Sequence, residues 1–97
     1  MATLRIEHPI HDYQVWQAAF DRFAPAREQA GVRGYVIRRP ADDPNYLMLD
    51  LEFGDAEQAA DFAEFLRARV WSAPDASPAL AGAPVTRILD VVRSGPS

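Results

Sequence analysis

The sequence predicts a small α+β protein in which two strand–helix–strand units share one antiparallel sheet. Three observations lead to this fold class: segments with strand-like alternation, stretches with helical apolar spacing between them, and a dense turn signal near the middle of the chain. The chain has 97 residues, which is the size of one domain. Residues 1–97 are therefore expected to fold as a single unit.

The first strand is predicted over residues 3–8. It places Leu4, Ile6 and His8 on one face and charged or polar side chains on the other. Pro9 is expected to end its pairing, because proline has no amide hydrogen to donate to a sheet. His8 is then expected at the end of a strand, with its side chain directed toward the helices.

The first helix is predicted to begin after Asp12, whose side chain can cap the free amide groups of the first turn. Pro25 interrupts the helical pattern, since a proline inside a helix removes a hydrogen bond and clashes with the preceding turn. We expect a kink there, or a break at which Pro25 opens a second short helix. Gly31 suits the C-terminal cap. The apolar stripe recurs at spacings of three and four and comprises Tyr13, Trp16, Phe20 and Phe23.

Strands two and three are predicted to form an antiparallel hairpin. The second strand spans residues 32–39, with Tyr35 and Ile37 on one face and Val36 on the other. A turn signal rich in proline and aspartate follows over residues 40–45. The third strand has the clearest alternation in the chain: Leu47, Leu49, Leu51 and Phe53 fall on one side, and Met48, Asp50 and Glu52 on the other.

The second helix is predicted to begin at Asp55, which forms a capping box with Gln58. Residues 72–84 are rich in Ala, Ser and Pro and are expected to form a loop, and residues 85–93 alternate as the last strand. Residues 94–97 are expected to be a short flexible tail. The apolar face of the helix comprises Ala59, Phe62, Ala63, Leu66 and Val70.

The predicted order is therefore β-α-β-β-α-β, the split βαβ or ferredoxin-like arrangement, with a four-stranded antiparallel sheet and two helices on one face. The helix-free face mixes charged and apolar side chains, so it is suited neither to water nor to a dry core. We expect it to pack against the same face of a second copy, with opposite charges paired across a two-fold axis. The predicted dimer interface comprises Arg5, Glu7, Tyr35, Ile37, Met48, Asp50 and Glu52.

Composition excludes several classes of function. A formal net charge of −4 argues against nucleic acid as a partner, and no apolar run approaches the length of a membrane span. The N-terminus enters strand-like sequence at once, which favours a cytoplasmic protein over a secreted one. Cysteine and lysine are both absent, which removes thiol, Schiff-base and P-loop chemistry. The two histidines are too few for a secure metal site, so no metal and no cofactor are predicted.

His8 is the candidate catalytic residue, because an imidazole can act as acid or base near neutral pH. The alternative is that His8 caps a neighbouring backbone group at the strand end. A cleft lined by aromatic side chains would suit a flat aromatic ligand, although core packing is the simpler interpretation for several of them. The candidate ligand-binding residues are Tyr13, Trp16, Phe20, Phe62, Leu66 and Trp71.

Asp50 and Glu52 share a strand face and could form a carboxylate pair for acid–base chemistry or for a hard metal ion. Pairing with an arginine is the simpler interpretation, and the candidates are Arg5, Arg39 and Arg87.

The chain resembles the dimeric α+β barrel superfamily, and within it the antibiotic-biosynthesis-monooxygenase-like proteins. The resemblance rests on residues 4–8 (LRIEH), 12–16 (DYQVW), 30–35 (AGVRGY) and 47–53. It implies a homodimer whose two sheets form a barrel. Relatives include cofactor-independent monooxygenases acting on aromatic polyketides, polyketide cyclases, haem-degrading enzymes and stress-responsive proteins. The haem-degrading relatives use a histidine ligand from the second half of the chain, and this sequence has no histidine after His11.

Two hypotheses of function follow. The first is a cofactor-independent monooxygenase or cyclase acting on an aromatic or polyketide-like small molecule, with His8 moving protons. The second is a non-catalytic homodimeric small-molecule-binding or stress-responsive protein of the same fold. An open apolar cavity beside His8 favours the first, and a filled core with His8 bonded to backbone favours the second.

Overall fold

One four-stranded antiparallel sheet, with strand order β2-β3-β1-β4, is the frame of the computed structural model, which describes all 97 residues. The predicted ferredoxin-like topology is confirmed, and β1 and β3 are the central strands. None of the helices combines the length and the apolar character that a bilayer span requires. The elements are β1 (Ala2–Pro9), α1 (Tyr13–Arg22), α2 (Ala24–Ala30), β2 (Gly34–Arg38), β3 (Tyr46–Phe53), α3 (Ala56–Phe65), a π-helical turn (Leu66–Val70) and β4 (Val85–Asp90).

The expectation that Pro9 ends the pairing of β1 is wrong. Pro9 lies opposite Tyr46 in the ladder between β1 and β3. Proline loses only its amide donor, and its carbonyl still accepts a hydrogen bond from the amide of Ala81 at 3.2 Å. The amide of Ile10 then donates to the Asn45 carbonyl at 2.7 Å, which extends the contact past the proline.

The first helical region is split in two, which is the second of the two arrangements expected for Pro25. The Asp12 side chain accepts a hydrogen bond from the Val15 amide at 3.2 Å and caps α1. Pro25 stands in the first turn of α2, where a missing amide hydrogen leaves no hydrogen bond unmade. α2 ends at Gly31, whose φ of 89° is the left-handed conformation of a helix C-cap.

The core lies between the helices and the sheet. Leu4 pairs with Leu51 and Ile6 with Leu49 across the two central strands, and all four side chains point toward the helices. The predicted buried face of β1, including His8, is confirmed. The core cluster comprises Leu4, Ile6, Phe20, Leu49, Leu51, Phe53, Ala59, Phe62 and Ala63.

Tyr35 and Ile37 face the helices, which corrects their assignment to the helix-free face. Their partners in the β2–β3 register are Leu51 and Leu49, and paired residues of antiparallel strands project to the same side. The Tyr35 ring contacts Phe20 with 5.0 Å between ring centroids. Apolar residues occupy three consecutive positions in β2, so alternation alone does not determine which face is buried.

The helix-free face carries Arg5, Asp50 and Glu52 as the alternation predicted. Arg5 binds both oxygens of Asp50 at 2.8 Å, and Arg38 adds a contact of 2.9 Å. Of the three arginines considered as partners of Asp50, Arg5 forms the pair and Arg39 and Arg87 do not, and Arg38 is an additional partner. The hydrogen bonds from Arg5 are the main reason that the pKa of Asp50 lies below its usual value.

The other two carboxylates of this face also have partners within the chain. Glu52 accepts hydrogen bonds from the Thr3 hydroxyl at 2.9 and 2.8 Å. Glu7 accepts one from the Tyr46 hydroxyl at 3.0 Å. All three acidic groups of the helix-free face are thus satisfied without a second copy of the chain.

Candidate functional site

A cavity of about 80 Å³ lies between the helices and the sheet. Ile6, Leu49 and Leu51 form its floor, and 14 of its 18 lining residues are hydrophobic. For scale, a cavity of roughly 150 Å³ holds a benzene molecule, so this space accommodates less than one full aromatic ring without movement. The polar side chains that reach it are those of His8, Arg27 and Ser77.

The structure brings together nearly all of the residues that the sequence nominated for a ligand. The exception is Tyr13, which does not line the cavity and so corrects the prediction. Tyr13 is the first residue of α1, and its ring stacks on Trp16 at 6.1 Å with the Arg39 guanidinium 5.0 Å from its centroid. The nominated residues that line the cavity are His8, Trp16, Phe20, Phe62, Leu66 and Trp71.

The two interpretations offered for Phe20 and Phe62 are both met. Each is a buried member of the core cluster, and each also forms part of the cavity wall. Trp16 and Trp71 are half-buried and pack against the edge of the core cluster. The aromatic lining therefore serves stability and the cavity at the same time.

His8 is only 3% exposed, and its Nδ1 atom lies 3.0 Å from the carbonyl oxygen of Pro9. A carbonyl oxygen can only accept, so this contact assigns the hydrogen to Nδ1 and leaves a lone pair on Nε2. Nε2 has no hydrogen-bond partner in the chain, whereas every fully buried side-chain nitrogen and oxygen has one. Nε2 is therefore not fully buried, and the His8 side chain lines the cavity.

Burial is the main cause that lowers the pKa of His8, and the hydrogen bond to Pro9 only partly opposes it. The imidazole is therefore neutral at neutral pH, which is the form that can take up a proton. The backbone cap expected as the alternative role for His8 is present at Nδ1, and Nε2 has no partner in the chain.

A row of rings connects the two polar ends of the cavity. The His8 ring lies 6.5 Å from Trp16, and Trp16 stacks on Phe20 with 5.0 Å between centroids. The guanidinium carbon of Arg27 lies 3.6 Å from the centroid of Phe20. His8 and Arg27 therefore border opposite ends of one aromatic surface.

Arg27 is a site residue that sequence reasoning missed. It is 8% exposed, and its Nη1 donates a hydrogen bond to the carbonyl of Phe20. Burial is the main cause that lowers its pKa, and Tyr35, followed by Asp21 and Glu28, acts in the opposite direction. One arginine among ten carries no sequence signal that marks it as buried.

The π-helical turn brings the last wall of the cavity into place. The amide of Trp71 donates to the carbonyl of Leu66 at 2.8 Å, a bond that spans five residues. Leu66, Val70 and Trp71 consequently all line the cavity. Widened turns of this kind occur often at functional sites.

The segment after the π-helical turn closes the cavity. Residues 76–80 line it, although the sequence indicated only a loop there. The amide of His11 donates to the Ala79 carbonyl at 2.9 Å, and Leu80 forms a bridge with Ile10. The loop is thus fixed to the end of β1, immediately beyond His8.

Asp50 and Glu52 lie on the opposite face of the sheet from the cavity, so they do not form a carboxylate pair beside His8. No group of three or more His, Cys, Asp or Glu side chains is placed to hold a metal ion.

No protein-family model matches the chain, and neither does any curated protein. Solved structures do match over nearly its whole length. An antibiotic biosynthesis monooxygenase superposes with a TM-score of 0.66 at 14% identity, over 96% of this chain and 100% of that one. A proposed antibiotic biosynthesis monooxygenase from Bordetella bronchiseptica superposes with a TM-score of 0.68 at 16% sequence identity. The match covers 95% of this chain and 98% of that one.

A third solved structure, described as a dimeric ferredoxin-like protein from an uncultured marine organism, superposes with a TM-score of 0.64. The two sequences are 13% identical, and the match covers 97% of this chain and 96% of that one. At such identities the likeness shows the fold. The chain therefore has the ferredoxin-like fold of the antibiotic-biosynthesis-monooxygenase-like proteins, as its sequence predicted.

Proposed function

We propose that this protein takes an ionisable phenolic or polyketone molecule into the cavity and acts on it as a cofactor-independent monooxygenase or cyclase. The observation that carries the proposal is the buried His8, whose Nε2 has no partner in the chain and whose lowered pKa keeps it neutral. A neutral imidazole beside an apolar, aromatic cavity is suited to abstract a proton from a bound acid.

The first step is the same for both reactions. Nε2 of His8 takes a proton from an O–H or an activated C–H group, and the substrate becomes an electron-rich anion. In the monooxygenase direction dioxygen is the oxidant: a CH₂ group and O₂ give C=O and water. In the cyclase direction the anion attacks a carbonyl carbon of the same molecule, and the carbonyl oxygen takes the proton back from His8.

The low polarity around His8 helps the return of that proton. Because burial lowers the pKa of His8, the protonated imidazole is a strong enough acid to release its proton again. Neither reaction needs a cofactor, since the electrons come from the substrate anion.

We also propose that two copies associate through their helix-free sheet faces. Support comes from the apolar Val36, Val85 and Leu89 on that face, and from the solved structure described as dimeric. The carboxylates there are satisfied within the chain, so the association would depend on apolar contact more than on new ion pairs. Analytical ultracentrifugation at tens of micromolar protein tests this, and a monomer at that concentration contradicts it.

A binding protein without catalysis is the second candidate. The observations that favour it are the hydrogen bond of His8 Nδ1 to the Pro9 carbonyl and a nearly filled interior, with a cavity of about 80 Å³ against the roughly 300–1,000 Å³ usual for small-molecule sites. This candidate predicts ligand binding without conversion of the ligand.

A thermal-shift screen of phenolic and polyketone compounds, followed by oxygen-uptake and product analysis for each hit, tests the function. His8→Ala is the variant, and His11→Ala is the matched control because His11 is exposed and outside the cavity. We expect conversion to be lost in His8→Ala and kept in His11→Ala. Binding without conversion by the unmodified protein supports the second candidate. Equal conversion by both variants removes His8 from the reaction.

A further inference from the structure

We infer that the cavity takes an anionic ligand, and that Arg27 binds the carboxylate or phenolate of that ligand while its aromatic part lies along Trp16. The inference rests on the proposed function only in taking the cavity as the ligand site. Beyond the proposed function, it specifies the charge of the ligand and the orientation of the ligand in the cavity.

The first support is an unpaired positive charge at the cavity. Arg27 is 8% exposed and lines the cavity, yet the ion pairs of the chain involve Arg5, Arg38 and Arg67. A buried cation without a counter-ion is unfavourable, and an opposite charge brought by a ligand relieves this. Tyr35, whose ring centroid lies 5.6 Å from the guanidinium carbon, acts on Arg27 more strongly than the carboxylates of Asp21 and Glu28, and neither carboxylate forms an ion pair with it.

The second support is the number of unused donors. A guanidinium has five N–H groups, and Arg27 makes one hydrogen bond in the chain, from Nη1 to the Phe20 carbonyl. Every fully buried side-chain nitrogen has a partner, so the Nε and Nη2 atoms of Arg27 are not fully buried. Two adjacent free N–H groups are the geometry that binds a carboxylate with two parallel hydrogen bonds.

The third support is the arrangement of the rings. Arg27 contacts Phe20, Phe20 stacks on Trp16, and Trp16 lies beside His8. A ligand whose anionic group binds Arg27 therefore extends along this row with its other end toward His8. The cavity of about 80 Å³ must widen to admit even one ring, so a single-ring aromatic acid is the smallest ligand that uses both features.

Titration by isothermal calorimetry with sodium benzoate tests the inference. Benzamide is the neutral isostere, and acetate carries the charge without the ring. The variants are Arg27→Gln and Arg27→Lys, with Arg22→Gln as the matched control because Arg22 is an exposed arginine at the end of α1.

We expect benzoate to bind more tightly than benzamide or acetate. Arg27→Gln should weaken benzoate binding about tenfold or more, the loss typical of hydrogen bonds to a charged group, and leave benzamide binding nearly unchanged. Arg27→Lys should keep part of the affinity because it keeps the charge, and Arg22→Gln should keep all of it.

Equal binding of benzoate and benzamide by the unmodified protein overturns the inference and leaves the cavity as a ligand site. Equal binding of acetate and benzoate removes the role of the rings and likewise overturns it. If neither benzoate nor benzamide binds, the inference fails, and the screen of phenolic and polyketone compounds decides the proposed function separately. The benzoate-to-benzamide ratio of the unmodified protein decides the question even if Arg27→Gln does not fold.

Discussion

The imidazole of His8 lies against the indole of Trp16, with 6.5 Å between ring centroids and 50° between ring planes. His8 stands at the end of a central strand and Trp16 on the helix that covers it, so the contact joins the two layers of the fold. A group that changes charge near neutral pH is thereby placed inside an apolar contact. Its protonation is therefore coupled to the stability of the fold.

That coupling predicts a loss of stability on mild acidification. Burial lowers the pKa of His8 in the folded chain from its ordinary value of 6.5, so below pH 6.5 the unfolded chain binds a proton that the folded chain does not. As the pH is lowered below 6.5, the free energy of unfolding should decrease by up to about 1.4 kcal/mol per pH unit, until the pH reaches the folded-state pKa.

Urea unfolding at several values between about pH 7.5 and pH 5 measures this slope. His8→Gln should flatten the curve over that interval, and His11→Gln should leave it as it is. The same slope in both variants would show that His8 contributes nothing to it.

Asp50→Asn should destabilise the protein by about 1–3 kcal/mol. The change leaves Arg5 and Arg38 without their shared carboxylate; the side chains of these arginines are 34% and 56% exposed, which keeps the cost below that of a fully buried pair. Glu64→Gln is the control, because Glu64 and Arg67 form an exposed pair expected to contribute less than about 0.5 kcal/mol. Chemical unfolding at neutral pH compares them, and equal losses would contradict the prediction.

Gly31→Ala should cost about 1–2 kcal/mol, since the residue has a φ of 89° and an added Cβ would lie 3.0 Å from the amide nitrogen of the Gln58 side chain. Gly34→Ala is the matched control, because nothing lies within 4 Å of its added Cβ. Thermal unfolding should show a lower midpoint temperature for Gly31→Ala and an unchanged one for Gly34→Ala. An unchanged midpoint there would mean that the helix end adapts without strain.

Phe62→Ala should destabilise the fold by about 3 kcal/mol or more, because Phe62 is 5% exposed and packs against Phe53 with 5.9 Å between centroids. Phe65 also stacks on Phe62 but is 36% exposed, so Phe65→Ala should cost much less. Denaturant unfolding of both variants tests the difference. The same cost for both would place the cavity wall outside the stabilising core.

The central strands were predictable because a single alternation governs each of them. Leu47, Leu49 and Leu51 occupy one parity and charged residues the other, so the buried face of β3 follows from spacing alone. β2 has apolar side chains at both parities, and its face is decided by the register with β3. Alternation alone therefore places Tyr35 and Ile37 on the wrong side of the sheet.

The candidate site was predictable in its aromatic part and not in its charge. Helical spacing placed Trp16 and Phe20 on the covered face, and strand parity placed His8 beneath them. Arg27 reaches the cavity because the chain breaks between α1 and α2 and folds back onto the Phe20 carbonyl. Such a long-range placement depends on the angle between two short helices, which residue spacing does not specify.

The sequence position of Trp71 depends on the number of residues in the π-helical turn that precedes it. Residues 66–70 contain one residue more than an α-helix would use to cover the same ground. A single deletion in this stretch would restore α-helical bonding and leave the following chain close to its present position, so the indole would stay at the cavity. A gap-free alignment with a protein that lacks the turn would therefore match Trp71 to a residue with a different location.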